Sequence, residues 1–114
     1  MTCPITTHVL DLQRGQPAVG LIVRLQQLVT SDFTNIAEGA TNGDGRILDI
    51  VAADKVVPGI YRLYFETGLY FDLFEQAEYF YPSVSVEFRV SAARSHYHVP
   101  LLLSPFGYST YRGS

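Results

Sequence analysis

Three histidines and one arginine carry most of the chemistry this chain can offer. His96 and His98 form an H-x-H near its end, His8 lies near its start, and Arg46 leaves a glycine-rich turn. Imidazole titrates near neutrality, so it can take a proton from water or give one to a leaving group. Guanidinium stays charged and can hold a carbonyl or an anionic heterocycle bidentately. His8, Arg46 and His98 therefore outline a metal-free acid–base site. On spacing alone, three unrelated polar surface residues are the plainer reading, because surface histidines on strands are common. A metal reading is thinner still. On a strand the H-x-H puts both imidazoles on one face, but a zinc site needs three or four ligands and only His8 is left to help. Gly107-Tyr108-Ser109-Thr110-Tyr111 misses G-x-S-x-G at its last glycine and lacks the strand-to-helix setting that strains a nucleophile. No metal and no cofactor are expected.

The elements that must position these residues are short strands. Residues 6–12 alternate Thr7, Val9 and Asp11 against Thr6, His8, Leu10 and Leu12, as in a strand with two working faces. Residues 14–17 read as a turn, 20–28 as a second strand with Leu21, Val23 and Leu25 inward, and 33–40 as a third. Thr41-Asn42-Gly43-Asp44-Gly45 holds both favoured hairpin dipeptides, so Arg46 leaves a tight turn and a short strand follows over 47–50. Residues 60–66 and 83–90 alternate most clearly. Between them Leu69, Tyr70, Leu73 and Phe74 recur at helical spacing, which predicts one short helix at about residues 68–76. In the strand 97–104, His98, Pro100 and Leu102 face away from an inward set of Val99, Leu101 and Leu103. Pro100 has no N–H for a ladder, which predicts an edge or a bulge. A last strand covers 108–112. Seven or eight short strands plus a helix make a mainly β chain, a β-sandwich.

With 114 residues there is room for a single domain, 1–114. Apolar residues at 47% suffice for a core, and eight tyrosines with seven phenylalanines exceed what a lone domain easily hides, which points to an oligomer interface. A net charge of −3 without a basic run excludes nucleic acid and anionic lipid as partners. Cys3 is the sole cysteine, so neither an intrachain disulfide framework nor a cysteine-based zinc cluster can form. Residues 1–12 lack a secretory pattern and no apolar run approaches the ~18 residues of a membrane span. A chain free in the cytoplasm is expected. The end Arg-Gly-Ser is not a peroxisomal Ser-Lys-Leu.

Several blocks together carry a resemblance: Thr6-Thr7-His8-Val9-Leu10-Asp11, residues 15–18, TNGDGR at 41–46, Gly59-Ile60-Tyr61-Arg62, Tyr81-Pro82, and HYHVPLLLSPFGYSTYRGS over 96–114. On these the chain resembles the 5-hydroxyisourate hydrolases, or transthyretin-like proteins, over essentially its whole length. The run ending Tyr-Arg-Gly-Ser is the most specific block. The resemblance implies a transthyretin-like sandwich of two four-stranded sheets with one short helix, assembled as a homotetramer, a dimer of dimers with its sites in the channel between dimers. It implies hydrolysis of 5-hydroxyisourate to 2-oxo-4-hydroxy-4-carboxy-5-ureidoimidazoline in urate degradation, without metal or cofactor, in the cytoplasm or, in a eukaryote, the peroxisome. The catalytic positions it carries over fall on His8, Arg46 and His98. Tyr111, Arg112, Gly113 and Ser114 would line the substrate site. The alternative is a transthyretin-type binder of thyroid hormone, which carries Lys, Glu and Thr where this chain has His8, Arg46 and His98. One departure is the lack of any tryptophan near Phe33.

Overall fold

Alternating side chains build two sheets that face one another across a shared apolar layer. The computed structural model describes residues 4–76, 78–91 and 96–114; Cys3 lies outside them. In chain order the elements are β1 (Ile5–Asp11), β2 (Gln16–Pro17), β3 (Ile22–Val29), β4 (Asp32–Ala40), β5 (Arg46–Ile47), a 3-10 turn (Ala53–Lys55), β6 (Gly59–Phe65), α1 (Thr67–Leu73), β7 (Val84–Val90), β8 (Tyr97–Ser104) and β9 (Gly107–Thr110). One sheet runs β2-β1-β8-β9 with β5 also on β1, and the other runs β4-β3-β6-β7. β1 and β8 pair in parallel, with Thr6 opposite His98 and His8 opposite Pro100.

The core lies between the sheets. Tyr97, Val99, Leu101 and Leu103 of β8 meet Tyr61, Leu63 and Phe65 of β6, with Val23 and Leu25 of β3 and Ile5 and Val9 of β1. Each fully buried aliphatic side chain contributes about 1.5–3 kcal/mol. The predicted inward face of Val99, Leu101 and Leu103 is the observed one.

The sandwich agrees with expectation and several details differ. The first sheet has five strands, because Gln16–Pro17, expected as turn, pairs with β1. β5 begins one residue early at Arg46 and stops at Ile47, and β9 ends at Thr110. The helix spans Thr67–Leu73, shorter than 68–76, because Glu75 adopts a left-handed φ of 55° and the N–H groups of Phe74 and Gln76 both turn back to the Phe71 carbonyl. Of its predicted apolar stripe only Tyr70 turns inward. Leu69 and Leu73 are 53% and 66% exposed, whereas Thr67, Gly68, Tyr70 and Phe71 are buried. Specific docking overrides the stripe: the Tyr70 hydroxyl donates to the Asp11 carboxylate at 2.7 Å, Phe71 stacks on Tyr79, and a Cβ on Gly68 would meet the Pro82 oxygen at 2.9 Å.

Pro100 lies in β8, an interior strand, and not at an edge. A strand residue points its N–H and C=O toward the same neighbour. The Pro100 carbonyl accepts from the Thr110 hydroxyl at 2.7 Å, so its missing N–H faces β9. There the ladder lapses after Leu101 pairs with Thr110 and resumes, in the same register, where His98 meets Gly113. The proline opens a gap opposite Tyr111 and Arg112 without shifting the strand.

Candidate active site

Delivery of Arg46 begins with Asn42. Its Oδ1 accepts the N–H of Asp44 at 2.9 Å and of Arg46 at 3.0 Å, and its own N–H donates to the Arg46 carbonyl at 2.9 Å. Gly45, at a φ of 75°, presses against β1. Its carbonyl accepts the Val9 N–H at 2.8 Å, and a Cβ there would fall 2.5 Å from the Val9 oxygen. Only glycine fits that approach. The turn thus seats Arg46 directly across from His8.

Neighbouring strands lie roughly 4.8 Å apart, and residues in register project to the same face. One row across the sheet is therefore Arg46, His8 and Pro100; the next, toward the start of β1, is Thr6, His98 and Gly113. His8, Arg46 and His98, ninety residues apart at the extremes, meet on the half-buried face turned away from the core. The arrangement offers two imidazoles and a fixed cation to one small polar molecule.

His98 is the most perturbed of these groups. Burial, then the positive charge of Arg46, then His96 and His8, lower its pKa from the ordinary 6.5. These surroundings favour its uncharged form. Thr6 is a close neighbour of His98 and His96 that the candidate set left out. Its hydroxyl oxygen lies 2.8 Å from His98 Nδ1 and 3.1 Å from His96 Nε2, although Thr6 is only 5% exposed. The signal was available, since Thr6 is two residues from His8 and shares its face.

The tail divides. Gly113 donates its N–H to the His98 carbonyl at 2.9 Å, and a Cβ on it would fall 2.4 Å from His98 Cδ2 and 3.1 Å from Pro100 Cγ. The chain therefore lies flat against the His98 ring. Arg112 turns elsewhere: its Nη2 donates to the His96 carbonyl at 2.9 Å and its guanidinium lies 4.9 Å from the Tyr97 ring centroid. Tyr111 is 58% exposed and Ser114 is exposed. A groove of about 340 Å³ runs along the sandwich edge between β7 and the tail, lined by Glu87, Arg89, His98, Thr110, Tyr111 and Arg112 among others. It shares His98, Tyr111 and Arg112 with the expected set but not His8 or Arg46, so His98 stands where groove and sheet face meet. Among the described residues no three His, Cys, Asp or Glu side chains are grouped as metal ligands.

Two four- to five-stranded sheets, one helix between β6 and β7, and a polar cluster on the outer face of the β1–β8 pair define a transthyretin-type sandwich. A sea bream transthyretin, solved in complex with thyroxine, matches it with a TM-score of 0.90 at 31% identity, covering 97% of this chain and 95% of that one. The HIUase/Transthyretin family matches residues 5–113, and the chain belongs to that family. Relatives named 5-hydroxyisourate hydrolase include a Salmonella typhimurium protein, 46% identical over 96% of this chain and 80% of its own length. A Mus musculus protein of that name is 43% identical over 97% and 95%. One from Halalkalibacterium halodurans is 40% identical over the whole of both chains.

Proposed function

We propose that the chain hydrolyses 5-hydroxyisourate to 2-oxo-4-hydroxy-4-carboxy-5-ureidoimidazoline, by histidine-activated water and without a metal. Kinship with hydrolases named for that substrate, at 40–46% identity, supports the activity. The observation that carries the mechanism is the meeting of His8, Arg46 and His98 on one sheet face. Neutral His98, with His8 beside it, takes a proton from the water that adds to the C6 carbonyl. Arg46 holds the anionic ring and the oxygen on which negative charge develops, an effect that is usually the largest single contribution in such reactions. As the ring C–N bond breaks, the proton passes from histidine to the leaving nitrogen, and the carbonyl carbon becomes a carboxylic acid that loses its proton to solvent. Gly113 holds His98 in place, and its neighbours Tyr111, Arg112 and Ser114 bound the substrate site.

A single sheet face is too open to exclude water. A homotetramer in which a second dimer covers this face would close it into a channel, a reading supported by the transthyretin likeness.

The test generates 5-hydroxyisourate from urate with urate oxidase and follows its ultraviolet absorbance with and without the protein. His98→Asn should slow the decay by about 10²–10⁴-fold. An unchanged rate would sink the assignment of His98. Tight thyroxine binding by a wild-type chain that leaves the decay unaltered would favour hormone binding, the reading suggested by the thyroxine-bound neighbour.

A further inference from the structure

One buried hydroxyl stands between two imidazoles. Thr6 Oγ1 lies 2.8 Å from His98 Nδ1 and 3.1 Å from His96 Nε2. A hydroxyl has a single hydrogen and two lone pairs, so it can donate to one ring at most and must accept from at least one of them. The tautomers of the two histidines are thereby coupled. His98 is half-buried and faces the candidate site, whereas His96 is exposed, with its backbone carbonyl held by Arg112 at 2.9 Å.

We propose that Thr6 and His96 form a proton relay that connects His98 to solvent during hydrolysis. The proposal rests on the hydrolase reading and adds two participants to it. Its physical reason is charge. An imidazolium at His98 would stand near Arg46 of β5 and His8 of β1, with His96 beside it and Arg89 and Arg112 along the groove; among the described residues Glu87 is the one carboxylate lining that groove. Burial and the neighbouring positive groups already disfavour the protonated ring. The relay lets His98 accept a proton without keeping the charge. At the outset His98 carries its proton on Nδ1, directed at Thr6, and the Thr6 hydroxyl donates to His96 Nε2. Water loses a proton to His98 Nε2 as its oxygen bonds to the carbonyl carbon. His98 Nδ1–H passes to the Thr6 oxygen, the Thr6 hydrogen passes to His96 Nε2, and His96 releases its Nδ1 proton to solvent. When the ring C–N bond breaks, His98 Nε2–H goes to the leaving nitrogen and the chain runs in reverse, with His96 regaining a proton from solvent. The relay ends each cycle as it began.

Three variants of the full chain test this: His96→Ala, Thr6→Val and Thr6→Ser, assayed beside wild type and His98→Asn. His96→Ala should lower kcat about tenfold, a fraction of a full acid–base contribution, with KM unchanged. Free imidazole in the buffer should restore it, because the missing group is at the surface. Thr6→Val should lower kcat similarly, imidazole should not restore it, and Thr6→Ser should return the rate close to wild type. The solvent deuterium isotope effect on kcat should shrink in both defective variants. If His98→Asn is inactive while His96→Ala keeps the wild-type kcat, the relay is overturned and His98 keeps its role. A loss in folded His96→Ala that imidazole leaves untouched likewise overturns it. Full activity in His98→Asn would instead remove the parent assignment.

Discussion

In the proposed mechanism His98 serves as a base only while it is neutral, and its surroundings favour that form. Burial first, then Arg46, His96 and His8, hold its pKa below 6.5. Between 6.5 and that lower value the unfolded chain binds the proton and the folded one does not. Its contribution to stability is therefore fully present above 6.5 and falls away as the pH drops through that window. Urea unfolding above pH 6.5 and about one unit below it should show this loss in wild type and a smaller one in His98→Gln. The acid limb of kcat/KM should likewise fall below 6.5. Gly113 makes a second prediction at this scale. Its absent Cβ leaves room for the ring, and a Cβ would stand 2.4 Å from His98 Cδ2. Gly113→Ala must push the ring or lift the tail, and a displacement of about 1 Å can cost roughly 100-fold in rate. If kcat/KM stays at the wild-type level, the tail is not seated on His98 during turnover.

The turn at 41–45 and the helix α1 show how elements hold the site. Asn42→Ala removes the acceptor for two backbone N–H groups that fix the start of β5. It should cost about 1 kcal/mol in stability and lower kcat/KM through Arg46, which kinetics and urea melts would separate. α1 docks through the Tyr70 hydroxyl on the buried Asp11 carboxylate, and burial, then that bond, push the Tyr70 phenol far above its ordinary range, so it remains a donor. Tyr70→Phe leaves Asp11 with the Arg14 N–H as its other partner and should cost about 1.5–3 kcal/mol in a urea melt. The turn was legible in the sequence because Asn-Gly and Asp-Gly have few conformations to choose from. The helix face was not, because a two-turn helix is oriented by one or two specific contacts, and Leu69 and Leu73 at helical spacing say nothing about Asp11.

At the scale of the molecule, β8 joins the core to the site. Its inward residues pack between the sheets while His98 faces out, so Leu101→Ala should cost about 2–5 kcal/mol by leaving a cavity. Phe80, Phe106 and Tyr111 are 70%, 65% and 58% exposed, more aromatic surface than a solitary chain hides. Sedimentation velocity should accordingly give the mass of four chains. A monomer that turns over at full rate would overturn the covered-face arrangement.

The sequence by itself determined which residues share a face, because side chains along a strand alternate with period two: His98 apart from Val99 and Leu101, His8 with Thr6. It also placed Arg46 at the exit of a tight turn, and its motifs named His8, Arg46 and His98 together. Only the tertiary structure decided that β1 and β8 lie side by side and parallel, since periodicity carries no information about which strands become neighbours. That pairing is made by burial of both strands' inner faces across some ninety intervening residues. It brings the Thr6 hydroxyl between two histidines, sends Arg112 to His96, and lets Pro100 sit in an interior strand by interrupting the ladder where the tail turns over the His98 ring.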